Sequence, residues 1–136
     1  MSYAGSRSLQ GAVYSALTAD AALTSLVWAH IYDALPSGPA PSLYVSLGAE
    51  TVEDASSQTG AGARHDFVVS VVAETSGFQA AKSVASAICD ALIDARLVLS
   101  RGELVGLWFL KAKAARSGVG DIRRIDLTFR ARVDGV

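Results

Sequence analysis

One cysteine, two histidines and three prolines occur in 136 residues, and each scarcity removes a class of answer. The lone thiol, Cys89, leaves no internal disulfide and no cysteine-based metal site, which suits a reduced, intracellular setting. His30 and His65 have no further ligand at metal-binding spacing; Asp66 adjoins His65, but neighbours on a strand point to opposite faces. Pro36, Pro39 and Pro41 cluster with Gly38, so extended backbone is favoured in one loop. Charged residues make up only 18% and the net charge is −1, so the basic footprint of a protein that grips nucleic acid through phosphates is missing. Any contact with DNA is then local or passing. No apolar run approaches the roughly 20 residues that cross a bilayer, and no secretory leader pattern opens the chain. The reading is of a soluble, unsecreted protein that does not enter a membrane.

What the chain has in quantity is apolar surface. Hydrophobic residues reach 51%, enough for one core with some left for partners, and the length suits a single domain spanning residues 1–136. Leu9, Ala12, Val13, Ala16 and Leu17 recur at helical spacing after Ser6 and Ser8, which are potential N-caps. Asp20 can cap a second, shorter helix with Leu23, Leu26 and Val27 on one face, ended near the core by Trp28. Ile31-Tyr32 and Leu43 to Gly48 read as strands around a loop at 36–42. Residues 49–64 are polar, without hydrophobic periodicity, and read as a long loop, either a mobile projection or a hairpin extension.

His65 to Glu74 is apolar on both faces, with Phe67, Val69 and Val71 on one side and Val68 and Val72 on the other, as a central strand requires. Ser76 and Gln79 match a capping box, and Phe78, Ala81, Ala85, Ile88 and Leu92 then form one helical stripe. Leu97 to Leu99 reads as a short strand, and Leu104 to Ala115 as a longer one with Trp108 and Leu110 opposite Phe109, Lys111 and Lys113. Ser117 to Gly120 supplies a hairpin turn. In the last strand Ile125, Leu127, Phe129, Ala131 and Val133 alternate with Arg124, Asp126, Thr128, Arg130 and Arg132. This order predicts an α+β domain with helices against a mainly antiparallel sheet.

Little here can perform chemistry. Cys89 lies mid-helix beside Ile88 and reads as a packed thiol. Gly60 to Arg64 resembles part of a phosphate loop but enters a strand, where no helix N-terminus awaits an anion. Glu50, Glu53 and Asp54 sit in the predicted loop, where carboxylates cannot be held at a fixed separation. The one repeating charged feature is the row Arg124, Arg130 and Arg132, joined by Lys111 and Lys113 from the preceding strand. Such a row is either a solvated sheet face balanced by Asp126, or a subunit contact or lumen wall.

The order of these pieces resembles the tail terminator family of long-tailed bacteriophages and phage-like gene transfer agents. The resemblance is carried by Leu17 to Leu23 with Leu26-Val27, Ile31-Tyr32-Asp33 leading to Leu35-Pro36, Leu43 to Gly48, His65 with Phe67, Val69 and Val71, Ala80-Ala81-Lys82, and Phe129 to Arg132. Ser42-Leu43 between Pro41 and Tyr44 departs from the family's direct passage from proline to an aromatic strand start. The resemblance implies a structural virion protein without cofactor or catalysis, located in the neck of the particle tail. It implies a homo-hexameric ring that caps the tail tube protein, ends its polymerisation and joins it to the head-tail connector proteins, with DNA only passing through the lumen. On this reading Lys111, Lys113, Arg124, Arg130 and Arg132 are candidates for a subunit interface or lumen, and Glu50, Glu53, Asp54 and Arg64 for a docking loop. The alternatives are another neck component and, in a different class, a small ligand-binding α+β domain, which would need convergent polar groups around a pocket.

Overall fold

The computed structural model describes residues 3–35, 37–56, 58, 60–74, 78–93, 95–116 and 122–135. Three helices, α1 (Ser6–Ala19), α2 (Ala21–Val27) and α3 (Gln79–Ile93), accompany five strands: β1 (Ile31–Tyr32), β2 (Leu43–Asp54), β3 (Gly62–Ala73), β4 (Glu103–Arg116) and β5 (Arg123–Asp134). The strands form one sheet in the order β1-β2-β3-β5-β4. All neighbours are antiparallel except the short parallel pair β1 and β2. The architecture is the α+β fold that the periodicities predict.

Strand β3 is central because it alone can be covered on both sides. Its inner residues His65, Phe67, Val69 and Val71 are buried, and on the outer side Ser70 and Val72 are buried as well. Strand β5 shows the alternation cleanly: Ile125, Leu127, Phe129, Ala131 and Val133 are buried while the residues between them reach solvent. The helices lie over the inner face, α1 through Leu9, Val13 and Leu17, α2 through Leu23 and Val27, and α3 through Ala81, Val84, Ala85, Ile88 and Leu92. Each set repeats at three or four residues, as an apolar stripe on a helix must.

Local chemistry agrees with the sequence in some places and overrides it in others. Asp20 caps α2, accepting from the Leu23 amide at 2.9 Å. Ser6 and Ser8 do not cap α1, whose N-cap is Gly5 without a side-chain hydrogen bond; their hydroxyls go instead to Glu50 and to the Gly5 and Arg101 carbonyls. Trp28 does end α2, but with φ 57° and 76% of its surface exposed, so it lies outside the core. The expected capping box at Ser76 and the turn at 117–120 fall outside the described residues.

The sheet decides between the two readings of residues 49–64 and corrects two further expectations. Residues 49–64 are the hairpin extension and not a long loop: Ala49 to Asp54 continues β2, Gly62 to Arg64 begins β3, and the two pair from Glu50 opposite Phe67 to Asp54 opposite Ala63. Backbone pairing to a strong central strand supplies what side-chain periodicity could not show. The base of the connection is tied by the Ala55 amide to the Gly62 carbonyl (2.9 Å), the Gly135 amide to the Ala61 carbonyl (2.9 Å), and Arg132 Nη2 to the Ala55 carbonyl (2.8 Å). The loop at 36–42, in contrast, has no helix or strand among its described residues 37–42. Leu97 to Leu99 forms no strand; Leu97 and Leu99 pack on the core without joining the sheet. In β4 the register shifts between Phe109 and Lys111. A bulge there inserts one residue, so Phe109, opposite Phe129, and Lys111, opposite Thr128, face opposite ways rather than sharing a side.

Candidate functional site

The outer sheet face gathers the predicted cationic row. Cross-strand partners share a face in an antiparallel pair, so Lys111 opposite Thr128 and Lys113 opposite Asp126 join Arg124, Arg130 and Arg132. An open depression lined by Lys111, Lys113, Arg124, Asp126, Thr128 and Ser70 marks where they meet. The row is not bare positive charge. Arg130 grips Asp66 on β3 with two bonds, Nε to Oδ1 at 2.8 Å and Nη2 to Oδ2 at 2.9 Å. Arg124 Nε donates to Asp126 Oδ1 at 2.9 Å, and Ser70 Oγ donates to the same oxygen at 2.6 Å. Arg132 Nε donates to Asp134 Oδ1 at 3.0 Å. Each arginine therefore has its own carboxylate, while among the described residues Lys111 and Lys113 form no ion pair.

The Arg130 pair has a pH consequence. Hydrogen bonding from Arg130 holds the Asp66 carboxyl below its ordinary value. A carboxylate depressed in the folded state stabilises the protein above its unfolded pKa of about 3.9, and that contribution is lost as pH falls through the folded value. Asp66→Asn is therefore expected to lower the thermal midpoint more at pH 7 than at pH 2. An equal drop at both pH values would exclude the pair as the cause.

The predicted docking residues are not on a loop. Glu50 lies within β2 on the inner side and accepts from Tyr3 Oη at 2.7 Å and Ser6 Oγ at 2.6 Å, with His65 Nδ1 3.3 Å from its other oxygen. Burial pushes its carboxyl up, but the bonds from Ser6, Tyr3 and His65 outweigh this and the net displacement is downward. Glu50 thus fastens the start of α1 to the sheet. Glu53 pairs with Arg64 across the hairpin. Asp54 accepts from the Ser56 amide at 3.1 Å and the Ser56 hydroxyl at 2.6 Å, an Asx-type closure of the turn.

The other candidates for chemistry stay apart. His65 is fully buried and its Nε2 has no hydrogen-bond partner; Asp66 points to the outer face, as strand alternation requires. His30 Nδ1 is 2.7 Å from Tyr32 Oη, on the far edge of the sheet. Burial pushes the Cys89 thiol up and the adjacent Asp90 adds to it, which suppresses the thiolate. No group of three or more His, Cys, Asp or Glu that could hold a metal occurs among the described residues.

Sequence reasoning missed the edge. Strand β4 is the outermost strand, and from Trp108 to Arg116 every residue is exposed, including the inward-facing Phe109, Ala112 and Ala114. Val105 and Leu110, each at a register shift, are 55% and 41% exposed beside Trp108 and Phe109. The Trp108 ring covers Gly106 so closely that a Cβ there would lie 2.5 Å from it. A 14-residue edge strand with an uncovered apolar segment is the kind of surface through which proteins associate.

Residues 11–134 match the family model described as tail completion protein gp17. The chain belongs to the tail completion protein family. A solved chain from the virion of a native gene transfer agent particle is similar to it at 60% identity, covers 98% of this chain and 100% of its own length, and superposes with a TM-score of 0.94. Among curated proteins none matches the sequence. The chain is accordingly a structural protein of phage-type tails. The exposed edge of β4 is then the largest uncovered apolar feature of the sheet.

Proposed function

We propose that this tail completion protein acts as a tail terminator. A ring of copies, six as in the family it resembles, caps the tail tube, ends its polymerisation and offers the surface to which the head connector joins. The observation that carries this reading is the likeness along the whole chain to a subunit of a gene transfer agent virion. The fold suits such a role, because one rigid sheet and its helices form a scaffold, and the exposed β4 gives each copy a lateral surface for a neighbour. A closed ring needs one patch that meets a different patch on the next copy. On this reading the outer face, where Arg124, Arg130 and Arg132 are each balanced by a carboxylate, suits a lumen wall past which DNA moves without being held, since strong phosphate contacts would retain it.

The test is to assemble particles without the protein and measure tube length by electron microscopy. Tubes of uncontrolled length that lack heads, restored to normal length by adding the purified protein, are expected. Tubes of normal length already joined to heads would refute termination. Tubes of normal length without heads, together with binding to the head connector and not to tube ends, would move the protein to another neck position.

A further inference from the structure

We infer that neighbouring copies join head to tail by opposite edges of the same sheet, β4 of one copy seating against the β1 and β2 edge of the next. The inference rests on the proposed ring and names the contact that builds it. Its starting point is where the apolar surface lies. Most of the large exposed apolar side chains fall into two groups. One is Val105, Trp108, Phe109 and Leu110 on β4; the other is Tyr3, Tyr14, Leu26, Trp28 and Leu35 around α1, α2 and the segment that follows β1. Strand order puts β4 and β1 at the two lateral ends of the sheet, with Tyr3 and Tyr14 lining one pocket with Tyr32 of β1 and Trp28 edge-on to His30 just before it. That is the arrangement a heterologous contact needs, and an isologous dimer would need only one of them.

The two ends also match in shape and charge. Between α1 and β1 lies an open pocket of about 800 Å³ walled by Tyr3, Tyr14, Tyr32 and Leu47, with Asp33 and Ala34 at its edge. Tyrosine walls accept aliphatic and aromatic side chains with little loss of their own freedom. Phe109 and Leu110 are side chains of that kind with nothing over them. Beyond them β4 carries Lys111 and Lys113, which form no ion pair among the described residues, and the receiving pocket, lined by Arg7 and Asp33, carries in Asp33 a carboxylate that accepts from Gln10 Nε2 and likewise forms no ion pair among the described residues. Strand β1 pairs only with Val45 and Ser46, so the rest of β2 has no strand on its outer side. The two register shifts in β4 and its lysines defend this edge against indiscriminate pairing, while the apolar residues at the shifts give a specific neighbour its foothold.

Cross-linking on assembled tails tests the inference. In a Cys89→Ser background, Leu110→Cys and Ala34→Cys are introduced singly and together, ring assembly is checked by native mass, and the rings are oxidised. The double variant is expected to give a ladder of linked subunits on non-reducing gels, and each single variant none. Assembled rings in which the double variant stays monomeric, or in which Leu110→Cys alone links to itself, would overturn the contact while leaving the ring intact. An assembled tail without any ring would remove both readings. Independently, Lys111→Glu with Lys113→Glu should lower the assembled fraction by about tenfold or more, since like charges then face each other, and Asp33→Lys should recover part of it. Unchanged assembly in the charge-reversed variant would count equally against the proposal.

Discussion

Phe129→Ala will cost about 3–5 kcal/mol of folding stability, the usual range for deleting a fully buried phenylalanine. Phe129 has no exposed surface and stands in β5 between the central strand and the edge strand. Its ring stacks on Phe67 of β3 at 5.7 Å between centroids and meets Phe109 of β4 edge-on at 5.9 Å. Removing it opens a cavity beneath α3 and takes away the inner support of the segment that carries Phe109. Urea unfolding measures the loss, and Phe129→Leu should recover most of it because volume is largely kept. A loss below about 1 kcal/mol for the alanine variant would show that the centre of the sheet is packed less tightly than these contacts indicate. Ring assembly should also weaken in the alanine variant at temperatures where the monomer remains folded, because Phe109 loses the ring that positions it.

The second large effect is expected at Glu50. Glu50→Ala removes the acceptor shared by Tyr3, Ser6 and His65. His65 is fully buried and its Nε2 already lacks a partner, so the substitution leaves its whole ring unsatisfied, and Ser6, 7% exposed, loses its acceptor as well. Each buried polar group left unpaired costs about 1–3 kcal/mol, which for two groups gives a total of roughly 2–6 kcal/mol. Glu50→Gln keeps an acceptor oxygen and should lose much less at neutral pH. It should also flatten the acid side of the stability profile: the Glu50 carboxyl is depressed in the folded state, so its stabilisation is present above the ordinary glutamate value and disappears as pH falls through the folded one. Equal stability of Glu50→Ala and the parent protein, measured by urea unfolding at pH 7, would return Glu50 to the role of a solvated loop charge.

That change of role for Glu50 shows where the sequence was legible. Strand β5 and helix α3 could be read directly because each has one buried and one wet face, and the alternation of Ile125 to Val133 or the spacing of Ala81, Ala85, Ile88 and Leu92 records that asymmetry. Strand β3 was readable for the opposite reason, being apolar on both sides. Residues 49–54 and 62–64 were not, because the hairpin they form is held by backbone pairing and by polar side chains such as the Glu53 and Arg64 pair, and neither leaves a hydrophobic period. Leu97 to Leu99 misled in the reverse sense: apolar side chains can pack on a core without a neighbouring strand. The bulge between Phe109 and Lys111 was invisible because inserting one residue alters the facing of all that follow without altering composition.

The charged row divides in the same way. Period two put Arg124, Arg130 and Arg132 on one face with Asp126 and Asp134, and the strand order added Lys111 and Lys113, but Asp66, the partner of Arg130, came from the register of β3, which a single strand does not state. Of the two readings of that row, balance by carboxylates extends beyond Asp126 to Asp66 and Asp134.

By itself the sequence determined the class of this protein: an α+β domain with an ordered series of elements that resembles the tail terminators. Those properties are local, since composition, period and order are written along the chain. Only the tertiary structure decided that β4 is an edge, that Val105 to Leu110 and the tyrosine pocket lie at opposite ends of the sheet, and that Glu50 stands in β2 and fastens the start of α1. Those facts follow from which strands become neighbours. Neighbours are chosen by the packing of the whole core, where residues such as Asp66 and Arg130, 64 positions apart along the chain, come within hydrogen-bond reach.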